Sequence, residues 1–432
     1  MTLLLALLLA AGPSSFYVRA GRLFDGTGDA ARRDVVLEIE GERIKSVGAQ
    51  PPAGAEVIDL SSATVLPGLI DVHVHLTSRA DHFEDIWQFK TSLPQESMVA
   101  VVHARRTLEA GFTTVRDVGS PPFAAADLRD LVNEGYLPGP RIVASGPCIS
   151  ITGGHCDLNN YPPEVRVSIF PAERDFAQAD GVDQIRHVVR AQIQHGVDLI
   201  KVAASGGVFS RGDTPGVPQF TVEELRVAAF EAHRAGRRIA AHAHGTQSIK
   251  DALNAGVDSI EHGTLIDDEG IRLLKERGAW LVGDLYNDDY ILGKAEELHI
   301  PKEYVDKERA IGQVQRQNWA KAIRAGVKAA FGTDAGVYPH GDNARQLAVY
   351  VKYGMTPAQA IRSATSVAAD LLGRAQDVGT LQPGRYADLI AVRGDPLTDV
   401  RVLESVPFVM KGGKIIKDEL RQAAPASSRA SK

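Results

Sequence analysis

Between Leu69 and Thr333 the chain repeats one pattern, a short apolar run followed by a longer stretch whose apolar positions recur at helical spacing. The runs are Leu69–His75, Thr113–Asp117, Arg141–Ser145, Asp198–Ala203, Arg238–His242, Ser259–His262, Trp280–Gly283 and Lys328–Thr333. They are too short for helices, and their alternation with helical segments is the signature of strand–helix–strand units in a parallel sheet. Val222–Ala235 shows the helical logic, with Leu225, Ala228, Ala229 and Ala232 on one face. Eight such units predict an α/β chain closed into a (β/α)8 TIM barrel, where chemistry sits at the ends of strands.

The flanks read differently. Phe16–Arg19, Val35–Glu40 and Arg43–Val47 alternate as short strands, and Ala387–Val392, Val406–Lys411 and Lys414–Lys417 do the same near the other end. Neither set can bury its own apolar face, so the termini are expected to pair as one small β-sandwich. The predicted division is a sandwich from residues 16–66 and 378–422 and a barrel from 67–377. Residues 1–15 are signal-like: Leu3–Ala11 is a nine-residue apolar run, short of the ~20 residues a membrane span needs. No positive charge precedes it, which leaves periplasmic or secreted and cytoplasmic placements both open. No other stretch reads as a membrane span, and Ala423–Lys432 is expected to be disordered.

Composition narrows the function. The 432 residues are 44% apolar and 24% charged, a globular balance. A net charge of -6 argues against a nucleic-acid partner, which needs clustered Lys and Arg, and in favour of a small-molecule substrate. Cys148 and Cys156 are too few for a disulfide framework, with a single bridge and two buried free thiols both open.

Candidate chemistry gathers at strand ends. His73 and His75 are two residues apart on the first barrel strand, so both imidazoles face one side. Alone this is a weak motif, more readily read as two satisfied core histidines. Other strands end with the missing donors: Lys201 on the fourth, His242 and His244 on the fifth, His262 on the sixth and Asp334 on the eighth. Lys201 sits in the apolar run Asp198–Ala203, where a bare ammonium is costly. It reads either as a paired lysine or as a carbamate formed with carbon dioxide, which needs the neutral amine that burial favours. His155 lies in a glycine-flanked loop and is assigned a substrate contact; His103, His187, His195, His233 and His340 read as surface or helix residues. Glu261 is assigned a structural role, because adjacent strand residues face opposite ways.

Taken together, Leu66-Pro67-Gly68-Leu69-Ile70-Asp71-Val72-His73-Val74-His75, Gly111–Asp117, Thr152–His155, Ile200-Lys201-Val202, His242-Ala243-His244-Gly245, Glu261-His262-Gly263, Gly332-Thr333-Asp334 and Pro383–Leu389 resemble the amidohydrolase superfamily. The resemblance is to its imidazolonepropionase-related branch, which holds prolidase-like and N-acyl amino acid amide hydrolases, including ochratoxin-hydrolysing ones. It implies two divalent ions, with His73, His75 and Asp334 on one, His242 and His262 on the other, and carboxylated Lys201 bridging. Zinc suits the nitrogen-rich set. A hydroxide between the ions would attack an amide carbonyl polarised by a donor such as His244, where the family often has Tyr, and Asp334 would move the proton to the leaving amine. The implied substrate is a small amide or dipeptide, and the implied assembly a homo-oligomer, by family resemblance an octamer. Arg211, Tyr286 and His155 are candidates to meet a substrate carboxylate. A one-metal deaminase or cyclic amidase is the rival on the same barrel. The deaminase usually needs a Glu three residues after the fifth-strand His, where this chain has Gly245. A non-catalytic scaffold is disfavoured by the full donor set.

Overall fold

The computed structural model describes residues 15–83, 86–120, 122–157 and 175–420. Leu3–Ala11 and Ala423–Lys432 lie outside them. The terminal segments supply β1 (Ser15–Leu23), β2 (Arg32–Glu40), β3 (Arg43–Val47) and β4 (Val57–Pro67). The barrel strands are β5 (Leu69–Val74), β6 (Phe112–Asp117), β7 (Arg141–Ala144) and β8 (Leu199–Ala203), then β9 (Arg238–Ala243), β10 (Ser259–His262), β11 (Trp280–Gly283) and β12 (Ala329–Phe331). After them come β13 (Leu389–Val392), β14 (Phe408–Lys411) and β15 (Lys414–Asp418).

All eight apolar runs are strands, and the barrel fold expected from them is present. Parallel arcs β5–β6–β7 and β8–β9–β10–β11–β12 are joined by bridges Ser145–Leu199 and Val74–Ala335, which close the ring. The strands are largely buried on both faces because helices such as Val222–Arg234 cover their outer side. Inside, polar side chains fill the barrel. Arg116 donates to the Val72 carbonyl, to Ser259 Oγ (3.1 Å) and to Glu261 Oε1 (2.7 Å), forming a paired floor beneath the strand ends.

The terminal strands form one continuous seven-stranded sheet, in the order β15-β14-β13-β4-β1-β2-β3. It curls on itself: Ile44 N donates to Arg385 O and Ala387 N to Glu42 O, enclosing an apolar cluster that includes Val18, Leu37, Leu60, Leu389 and Phe408. The central strand β4 escapes the sequence pattern. Its first half alternates, with Ile58 and Leu60 buried, but Ser61 and Ser62 interrupt it and Ala63–Pro67 are then buried in succession. That switch from one-sided to two-sided burial hides the period of two.

Cys148 and Cys156 are joined in a disulfide rather than held as free thiols. Among the described residues no helix is long and apolar enough to cross a membrane.

Candidate metal centre

The strand ends open into a cavity of about 480 Å³. His73 and His75 enter from β5. His73 Nδ1 lies 2.9 Å from Glu261 Oε2. Burial works against ionising Glu261, but Arg116 and the bond to His73 outweigh it and hold the carboxyl well below the usual range. The ionised oxygen only accepts, so Nδ1 carries the hydrogen and Nε2 presents its lone pair to the cavity. That Nε2 is buried without a hydrogen-bond partner among the described residues. His75 follows the same logic, donating from Nδ1 to the Gly119 carbonyl at 2.8 Å. Asp334 Oδ1 faces both Nε2 atoms, 3.4 Å from that of His73 and 3.2 Å from that of His75, with which it pairs.

The other donors close the opposite side. His262 holds Nδ1 3.0 Å from Asp284 Oδ2, and Asp284 is itself fixed by Asn287 (2.8 Å) and Gln315 (2.7 Å). The His262 ring lies 5.0 Å from that of His73, 4.5 Å from His242 and 4.7 Å from His244. His242, His244 and His262 form one donor group and His73, His262 and Asp334 another, each with ligand atoms within 4.8 Å of one another. These nitrogen and carboxylate donors fit divalent transition-metal cations, and the orphaned His73 Nε2 needs an electrophile that the protein does not supply.

Backbone strain accompanies this placement. His262 and Asp334 have φ of 69° and 58°, left-handed values that cost a non-glycine residue ~1–3 kcal/mol. The turn at His262 breaks strand alternation, so neighbours Glu261 and His262 both reach the centre. The expectation that Glu261 faces away is therefore corrected: it orients His73. Glycine completes the packing at Gly332, where a Cβ would sit 2.8 Å from His73 Cβ, and at Gly207, where it would strike the His155 ring at 2.3 Å.

Lys201 lies within β8, 3% exposed, and its ammonium makes no hydrogen bond or ion pair among the described residues. Burial pulls its pKa down to about 8, against the opposing pull of Glu261 and Asp334. Burial also lowers His73 and His155 to about 4 and drives His242 and His244 well below the ordinary value. Neutral imidazole is the form that binds a cation. His75 differs: burial lowers it, but Asp334 outweighs burial and raises it. Asp334 is lowered to about 2, because His73 and His75 overcome the effect of burial.

His155 lines the cavity, stacks on His242 at 4.1 Å, and holds Nδ1 2.7 Å from Ser210 Oγ. Ser210 donates to Asp213, which pairs with Lys307 at 2.9 Å. His244 Nδ1 lies 2.7 Å from Thr264 Oγ1, a hydroxyl that can donate or accept, so both metal ligation and hydrogen-bond donation are open to the ring. Arg211 lines the cavity but Tyr286 does not; its ring packs against Tyr338, turned by the helix Tyr286–Lys294. His340 is buried rather than superficial, bonding the His75 carbonyl at 3.1 Å and stacking on His103. Sequence reasoning reads Asp284–Tyr290, just past β11, as a pocket-shaping loop but gives Asp284 and Asn287 no role of their own, and it missed Arg79 and Glu308 on the cavity wall.

Comparison with known proteins follows the same lines. The profile of the amidohydrolase family matches residues 64–416. The ochratoxinase of Aspergillus niger is 34% identical over 420 residues, covering 93% of this chain and 86% of that protein. A crystal structure of a Xaa-Pro dipeptidase with methionine bound in its active site superposes with a TM-score of 0.86 at 36% identity, covering 93% of this chain and 99% of that one. A prolidase complexed with N-methylphosphonate-L-proline superposes with a TM-score of 0.85 at 30% identity, covering 94% and 100%.

Proposed function

The chain belongs to the amidohydrolase family, and from that premise we propose that it hydrolyses the amide bond of a small N-acyl amino acid or dipeptide at a centre of two divalent cations. His73, His75 and Asp334 would hold one cation, His242 and His262 the other, and Lys201, as its carbamate, would bridge them. The observation that carries the reading is that these six side chains, from five strand ends, line one cavity together with the unpartnered His73 Nε2. Cations bound there supply Lewis acidity and make water a nucleophile at neutral pH.

The chain's own residues supply the rest. Asp334 is ionised and steadied by Asn287 Nδ2 at 3.2 Å from Oδ2, so it accepts a proton from the attacking water and returns it to the departing nitrogen. His244, with Nδ1 accepting from Thr264, donates from Nε2 to the carbonyl oxygen as negative charge develops there. His155, kept neutral by burial and aimed by Ser210, meets the substrate beside His242. The tautomers of His244 and His155 follow from these roles and belong to the proposal.

The test is a panel of N-acyl amino acids and Xaa-Pro dipeptides, incubated with protein reconstituted with zinc and bicarbonate, with chromatographic detection of the released amino acid. Release abolished by a chelator is expected. Ammonia from ring amines, with no amide cleaved, would favour the deaminase instead.

A further inference from the structure

One carboxyl on the cavity wall has no part in this scheme. Glu308 lies on the helix Lys302–Arg324, whose Tyr304, Ile311 and Gln315 line the same cavity one or two turns away. It is 5% exposed, and its carboxyl makes no hydrogen bond or ion pair among the described residues. The acids whose charges act most on it are satisfied: Asp284 by His262, Asn287 and Gln315, and Asp288 by Arg316 at 2.8 Å, whose second arm holds Asp289 at 2.9 Å. Gly312 leaves the room these acids occupy, since a Cβ there would meet Asp288 Oδ1 at 2.3 Å and Glu308 Oε1 at 2.8 Å.

A buried carboxyl without a partner is costly, and where it lines a substrate cavity a ligand can supply the partner. Burial and the charges of Asp284 and Asp288 push this carboxyl up to about 8 against the pull of Arg316, so the wall still favours a positive charge at this point, which a proton supplies when no ligand is there. We propose that Glu308 is a specificity residue that binds the free N-terminal ammonium group of an unblocked dipeptide. The proposal rests on the amide-hydrolase reading and chooses between its two substrate classes, because N-acyl amino acids lack that ammonium.

The experiment compares alanyl-leucine with propionyl-leucine, which lacks only the amine, and with 6-aminohexanoyl-leucine, which carries its ammonium as a lysine side chain would. A charge-assisted hydrogen bond contributes ~1.5–3 kcal/mol, or about 10- to 100-fold in kcat/KM. Wild type should prefer alanyl-leucine by that factor, and Glu308→Gln should erase the preference while changing propionyl-leucine less than about threefold. Equal rates in wild type, equal losses on both substrates, or a preference for 6-aminohexanoyl-leucine would overturn it. Calorimetric binding of the first two compounds separates this from the hydrolytic reading. If no amide is cleaved, that reading fails, while wild type must still bind alanyl-leucine about tenfold more tightly than propionyl-leucine. Equal or absent binding counts against Glu308.

Discussion

His73 and Glu261 stand 188 positions apart in sequence and 2.9 Å apart in space, joined Nδ1 to Oε2 across the barrel. Arg116 holds the far oxygen at 2.7 Å, so an ion pair in the floor sets which nitrogen of His73 faces the cavity. Glu261→Gln should keep a hydrogen-bond acceptor but lose the charge that orients the ring and balances Arg116. Cation affinity, read by chelator competition, should fall about 10- to 100-fold. Unchanged affinity would reduce Glu261 to a packing role.

Lys201 should tolerate no substitution that cannot bridge. Lys201→Ala is expected to lose more than about 100-fold in kcat, with partial recovery on adding a short carboxylic acid. Lys201→Arg should not recover, because a guanidinium forms no such carbamate and offers no lone pair. An active Arg variant would remove the bridge from the account.

His244 separates donor from ligand. His244→Asn should lower kcat by about 10²–10³-fold, the cost of one lost oxyanion donor, while the cation content stays at the parent level. His262→Ala should lower both. Loss of a cation in the His244 variant would move that residue into the ligand set, as its place beside His242 and His262 permits.

Glu308 gives a pH signature. Its carboxyl rises from 4.5 to about 8 on folding, so the folded protein keeps a proton that the unfolded chain releases. Its contribution is therefore fully present below pH 4.5 and is lost as pH rises toward and through 8. The melting temperature of Glu308→Gln minus that of wild type, at equal cation loading, should grow steadily from pH 5 to pH 8. A flat difference would mean that the carboxyl is ionised throughout.

The parts of this architecture that follow a simple period were readable from the chain. Strands buried on both faces become continuous apolar runs, and His73 and His75 share a face because the strand period is two. Glu261 keeps the structural role assigned to it, but it does not face away from His262, because that period fails at the left-handed His262. Tyr286, one of three candidates for the substrate carboxylate, lies outside the cavity lining, and sequence does not tell which way a helix after a strand turns its first residue. Glu308 did leave a trace: Tyr304, Val305, Glu308, Gly312, Gln315, Arg316, Trp319 and Ala322 form the buried stripe of their helix, and an acid within such a stripe marks either a pair or a site.

The central claim is most directly tested by counting cations per chain after reconstitution with zinc and bicarbonate, using elemental analysis of the gel-filtered protein. The account predicts about two ions in wild type and about one or none in Lys201→Ala. One ion or fewer in wild type, with amide hydrolysis intact, would contradict it.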